Sequence, residues 1–244
     1  MIDCISVENM RLSDADTIAN LAPSLELMHR AALGVYQNVA WKGKIAILAG
    51  SGNNGGDGYA LSCILKSNGY DCTVFRLGNR LSDDSAYYAD QAQQIGVAIH
   101  PFLPGTGTLN GYDILVDCLL GTGFTGGVRE NYRDCIREIN AAPSYTVSVD
   151  INSGMNGDTG EAEIAVCSDL TVTIGYVKRG LIAADAGQYI KKLVCADIGI
   201  RLVRQEDRIL SAREWIETFG DENFTTAAKD GNIYHRCPAW LQLE

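Results

Sequence analysis

Short apolar runs alternate along the chain with longer amphipathic ones, and glycine or asparagine punctuates the joints. Ser24–Val39 carries apolar residues at helical spacing behind Pro23, which predicts a helix with Ser24 as its N-cap. Lys44–Leu48 is a strand-type run that stops at Ala49-Gly50-Ser51-Gly52. Gly58–Ser67 then predicts a helix closed by Asn68-Gly69, and Cys72–Arg76 the next strand. Strand, glycine turn, helix, strand is the unit from which parallel sheets are wound. The unit recurs. Helices are predicted over Asp84–Ile95 and Glu130–Asn140, and strands over Val97–Phe102, Ile114–Leu120, Tyr145–Ile151, Leu170–Ile174 and Lys191–Ile198. Strands this short and apolar, alternating with helices, predict an α/β fold with a doubly wound, mostly parallel sheet and helices on both faces. From about Gln205 to Glu244 the sequence turns polar and loses any sustained period. One domain is expected over residues 1–204, with 205–244 a packed tail, a linker, or sequence foreign to the fold.

A chain of 244 residues suits one sizeable α/β domain. Its 26 glycines fall in tight groups, which hints at ligand sites built from backbone. A formal charge of −10 argues against nonspecific nucleic-acid binding. It leaves room for an anionic ligand, because the N–H groups at a helix N-terminus hold phosphate without lysines. The eight cysteines are scattered, with no C-x-x-C pair, and several sit in apolar strand-like runs, so a reduced set is expected. The N-terminus lacks the basic and apolar regions of a signal peptide, and no apolar run approaches the roughly 18–20 residues of a membrane span. The expected location is cytoplasmic, with no membrane partner.

Three motifs carry candidate chemistry. Gly52-Asn53-Asn54-Gly55-Gly56-Asp57-Gly58 lies between a strand and a helix, where N–H groups can face an anion and the amide oxygens a cation or ribose hydroxyl. The same residues also make ordinary tight turns. In the second motif Asp117 sits inside the apolar run Val116–Leu120, just before the loop Gly121-Thr122-Gly123-Phe124-Thr125-Gly126-Gly127. A buried carboxylate without partners costs several kcal/mol, so Asp117 needs a cation, a donor cluster or a raised pKa. The third places Asp150 at the end of an apolar strand, followed by Ile151-Asn152-Ser153-Gly154. Ligands of parallel α/β sheets bind outside such strand ends, and three of them converging is far stronger than one.

Taken together these motifs resemble the YjeF N-terminal family of NAD(P)H-hydrate epimerases, over about Met10 to Ile200. Further carriers are Pro23-Ser24-Leu25-Glu26-Leu27-Met28-His29-Arg30-Ala31 and Asp169-Leu170-Thr171-Val172-Thr173. The resemblance implies a Rossmann-like domain that interconverts the R and S epimers of NADHX and NADPHX, so that a dehydratase can restore NAD(P)H. It also implies a potassium ion held by Asn54, Asp117 and Ser153. Substrate would be bound by Asn53 to Asp57, by Gly121 to Gly127 and by Asp150. Asp150 is the first candidate for the carboxyl that moves the proton, and Asp117 the second. A homodimer, common for this type of fold, is the expected assembly. The chain departs from the family at Asn152, where proline is common and the change reads as minor, and at Lys178-Arg179-Gly180, where K-P-G is common. Lys178 and Arg179 read as a solvated face.

Two other classes of function compete. A scaffold module on the same fold has no physical need for Asn54, Asp117, Asp150 and Ser153 together. An NAD-dependent dehydrogenase would be expected to carry G-x-G-x-x-G after the first strand, and this chain does not. His29, His100 and His235 read as surface or packing residues, without partners at metal spacing.

Overall fold

Seven apolar runs become seven parallel strands of one sheet in the computed structural model, which describes residues 1–78, 80–220 and 224–242. They are β2 (Lys44–Ala49), β3 (Asp71–Arg76), β4 (Ala98–Pro101), β5 (Ile114–Cys118), β6 (Tyr145–Val149), β7 (Leu170–Ile174) and β9 (Leu193–Ala196). Their order across the sheet is β4-β3-β2-β5-β6-β7-β9. The winding therefore reverses between β2 and β5, which opens a crevice at their C-terminal ends. Alternate residues of each strand face opposite layers. Ile45, Ile47 and Ala49 pack with the helices α2 (Ser24–Asn38), α3 (Asn53–Ser67) and α4 (Asp83–Gln94). Ala46, Leu48 and Leu115 pack with Tyr132, Cys135, Ile136 and Ile139 of α5 (Glu130–Ala141) on the other face. The doubly wound α/β fold stands as expected.

The start of α3 differs from the sequence reading. The helix opens at Asn53, five residues before Gly58, so the glycine motif forms its first turns and is not a loop ahead of it. Glycine inside a helix costs roughly 1 kcal/mol each, and close packing supplies the reason for it here. A Cβ on Gly55 would lie 2.0 Å from the carbonyl oxygen of Gly50, and one on Gly58 would lie 3.0 Å from Cys118 Cβ. The missing side chains let the helix N-terminus settle directly against the ends of β2 and β5.

A second sheet, of five strands in the order β11-β12-β10-β1-β8, has no counterpart in the sequence reading. It joins β1 (Ile2–Ile5) and β8 (Val177–Lys178) to three strands from the polar C-terminal stretch, β10 (Asp207–Leu210), β11 (Thr226–Lys229) and β12 (Asn232–Arg236). Between β10 and β11 lies α6 (Ala212–Phe219), opened by a reciprocal cap of Ser211 and Glu214 and anchored by fully buried Trp215. Asp207 joins these parts, accepting from Arg179 Nε at 2.9 Å and lying 2.9 Å from His235 Nε2. His235 thus has an acidic partner that sequence spacing did not show, and Arg179 is tied down rather than freely solvated. The remaining helix, α1 (Val7–Asn20), buries Asn9, Ser13 and Thr17 along with Met10. It is fastened by side chains to the segment 201–204: Ser13 Oγ accepts from Val203 N–H at 3.1 Å, and Thr17 Oγ1 from Arg201 N–H at 2.9 Å. The cysteines are unpaired, and among the described residues no helix is long and apolar enough to cross a membrane.

Candidate active site

The crevice where the winding reverses holds a cleft of about 780 Å³. Its wall takes Asn53, Asn54 and Asp57 from α3, Gly121, Thr122, Gly123, Phe124, Thr125 and Gly127 from the loop after β5, and Asp150 from the end of β6. Ten of the residues singled out from sequence thus share one cavity. Gly55, Gly56, Gly126, Asp117 and Ser153 stand outside its lining.

Behind the cleft, Asp117 is completely enclosed. Its Oδ1 accepts from Ser153 Oγ at 2.5 Å and from Leu119 N–H at 3.2 Å. Its Oδ2 accepts from Ser153 N–H and from Ser148 Oγ, both at 2.9 Å. Burial pushes this carboxyl up, and the four hydrogen bonds pull it partway back. Asp117 is therefore the donor-satisfied form of the buried carboxylate that the sequence demanded. Ser153 Oγ in turn accepts from Leu120 N–H at 2.8 Å, so the ends of β5 and β6 are laced together. Asn54, on α3, donates from Nδ2 to Leu120 O at 3.0 Å. Its Oδ1 is buried and has no hydrogen-bond partner.

Asp150 occupies the left-handed region, with φ 68°, where aspartate is among the few tolerated side chains. The turn lets the chain leave the sheet while the carboxylate points into the cleft, and its backbone N–H still reaches Val172 O at 2.8 Å. Lys178 pairs with it. The same ammonium donates to Ile174 O at 2.7 Å and Thr173 Oγ1 at 3.1 Å and is 0% exposed. The solvated-face reading of Lys178 is overturned: a lysine is buried here because a carboxylate, a carbonyl and a hydroxyl together replace its water. Asn152 is also more than a minor departure. It is fully buried, donating to Val166 O at 2.8 Å and accepting from Thr171 Oγ1 at 2.6 Å, and so braces the turn that carries Asp150 and Ser153.

α1, absent from the sequence reading, closes the cleft with Met10, Arg11, Asp14 and Ile18. Arg11 Nη2 donates to Thr122 O at 3.0 Å, linking the helix to the glycine loop. Burial raises Asp14 from its ordinary 3.8 to about 6, with Lys178 lowering it and Asp150 raising it further. Asp57 is pushed well up by burial, then by Asp150 and by Asp14. A carboxyl that binds its proton more tightly when folded stabilises the fold fully below its unfolded pKa. That contribution is lost as the pH rises through the folded value. Asp14→Asn is therefore expected to raise stability at pH 8 by up to about 3 kcal/mol and to give no gain at pH 4, read from thermal melts at both. The only sequence signal for Asp14 was an acid in a polar N-terminal segment, and nothing there pointed to the cleft.

Fold and site together define an α/β protein with a carboxyl-lined ligand cleft at the switch point of a parallel sheet. A family model described as YjeF-related protein N-terminus matches residues 24–180. An NAD(P)H-hydrate epimerase of Levilactobacillus brevis is 36% identical over 199 residues, spanning 78% of this chain and 89% of the relative. The bifunctional NAD(P)H-hydrate repair enzyme Nnr of Archaeoglobus fulgidus is 34% identical over 202 residues, 82% of this chain and 42% of the relative. The crystal structure of yeast ynu0 shares the fold, with a TM-score of 0.69 and 20% identity, covering 96% of this chain and 100% of that one. The chain belongs to the YjeF N-terminal family.

Proposed function

We propose that the cleft binds hydrated nicotinamide dinucleotides, NADHX and NADPHX, and interconverts their R and S epimers, making the protein an isomerase of metabolite repair. The observation that carries this reading is the meeting of three elements at one point. A Cβ on Gly121 would lie 3.2 Å from Asn54 Cβ and 3.3 Å from Asp150 Oδ2, so loop, helix and strand end together frame a single small spot. Relatives named for this reaction, among them one that shares most of its length with this chain, support the reading.

The ligand's phosphates suit the N–H groups at the start of α3 and along the glycine loop. Its hydrated ring then belongs beside Asp150, whose carboxylate receives a proton or balances positive charge as the hydroxyl leaves and returns. Asp117, sealed behind the wall, serves as a holder rather than a proton carrier. Asn54, Asp117 and Ser153 are the proposed potassium ligands. They form an oxygen-only set suited to a hard cation, and the unpartnered Oδ1 of Asn54 is the acceptor that a cation would satisfy. Asp117 and Ser153 bond to each other, so a cation would replace that bond. When bound, the ion supplies fixed positive charge beside an anionic ligand. Relatives that are bifunctional repair enzymes support coupling to a dehydratase.

The test is recovery of NAD(P)H at 340 nm when an S-specific dehydratase is supplied with R-NAD(P)HX, in potassium or in tetramethylammonium. Strong acceleration by this protein, lost in tetramethylammonium, is expected. Equal rates in both salts would remove the potassium assignment, and no acceleration in either would remove the epimerase reading.

A further inference from the structure

An epimerisation that breaks and remakes a carbon–oxygen bond must lose the hydroxyl from one face and receive it on the other. A proton-transfer group has to lie within about 2.6–3.2 Å of the oxygen it serves, so one fixed group does not reach both faces. Four carboxyls line the cleft, Asp14, Asp57, Asp84 and Asp150, and two of them come from the helix and the strand end that meet at Gly121: Asp57 from α3 and Asp150 from the end of β6. Building on the epimerase reading, we propose that Asp57 is a second catalytic acid/base, acting on the opposite face of the reacting carbon from Asp150.

The two carboxyls are unlike in the way such a pair requires. Asp150 is ion-paired with the buried Lys178. Asp57 is half-buried and has no hydrogen-bond or ion-pair partner among the described residues. Burial, Asp150 and Asp14 all favour its protonated form, with Lys178 the smaller opposing influence. One positive charge thus faces three carboxyls, Asp14, Asp57 and Asp150. The other charged groups on the cleft wall are Arg11, Arg129 and Asp84, and Arg11 is engaged by a neutral carbonyl.

In the forward direction the Asp57 carboxyl gives its proton to the hydroxyl oxygen. The carbon–oxygen bond breaks, water departs, and the ring nitrogen's electron pair forms a C=N⁺ bond. Water attacks the other face, the carbon–oxygen bond forms, and the C=N electron pair returns to nitrogen. The surplus proton of the entering water passes to Asp150. No oxidant or reductant is consumed, and the two carboxyls hold one proton between them before and after. In the reverse direction their roles exchange.

The experiment follows two rates on each purified epimer of NADHX in ¹⁸O-labelled water: inversion, and incorporation of label without inversion. The wild-type protein is expected to invert both epimers with uptake of label. Asp57→Asn should lose inversion by about 100-fold or more, yet still exchange the hydroxyl of the one epimer that Asp150 faces. Asp150→Asn should show the mirror pattern, exchanging only the other epimer. Inversion at the wild-type rate in Asp57→Asn, or two variants that retain exchange on the same epimer, would overturn the proposal. Loss of all exchange in both folded variants would overturn it equally. Should Asp57→Asn fail to fold, Asp150→Asn decides alone: exchange of a single epimer supports the pair, and exchange of neither removes it. A wild-type protein that inverts neither epimer would instead sink the underlying epimerase reading.

Discussion

Asp150→Asn is expected to lower epimerisation by about 10²- to 10⁴-fold, the range for removing a positioned proton-transfer group. Asparagine tolerates the left-handed backbone at this position nearly as well as aspartate, so the turn itself survives the change. What disappears is the negative charge opposite Lys178, the charge that the proposed function sets beside the hydrated ring. The amide oxygen can still accept from that ammonium, whose bonds to Thr173 and Ile174 remain. Some stability is lost with the charge, because removing one partner of a buried pair leaves the other uncompensated. The checking measurement is kcat/KM on purified R-NADHX together with circular dichroism of the same sample. Full activity from a folded variant would show that the ring does not sit against this carboxylate.

Asp117→Ala should be the most damaging substitution for the fold itself, costing about 3–5 kcal/mol. Four donors aim at its two oxygens in a place that water does not reach, and alanine would leave three of them without an acceptor, Ser153 Oγ keeping only Leu120 O at 3.2 Å. Each such loss costs about 1–3 kcal/mol before relaxation. Ser153 would lose its anchor at the same time, and with it the lacing of β5 to β6. A fall of the urea midpoint, followed by tryptophan fluorescence, is the expected readout. A midpoint unchanged from wild type would mean that these donors find other partners and that Asp117 is not the holder described above.

The main sheet was legible because its strands are short, apolar and separated by glycine-bearing turns, and each run from Lys44–Leu48 to Lys191–Ile198 found its place in it. The second sheet was not. β8 is only two residues long, β11 is largely exposed, and β12 is a mostly polar strand of half-buried residues, so they carry no hydrophobic alternation to read. α1 escaped for a related reason: it is fastened by serine, threonine and asparagine to backbone groups, and a polar inner face gives no apolar stripe. Asn53, Asn54, Asp57, the glycine loop and Asp150 could be singled out as a group because strand ends and glycines mark them. Lys178 and Asp14 were hidden because what matters is their neighbours in space. A lysine beside an arginine reads as solvated until the carboxylate it pairs with is seen. The extent of α3 was misread because glycine signals a turn in sequence, whereas at Gly55 it answers to a carbonyl packed against it.

The most direct test is to incubate the protein alone with one purified epimer of NADHX in potassium buffer and resolve R from S by chromatography over time. Catalysed approach to the R/S equilibrium from either side, far above the buffer blank, is the predicted result. A ratio that drifts only at the blank rate with folded protein would contradict the account.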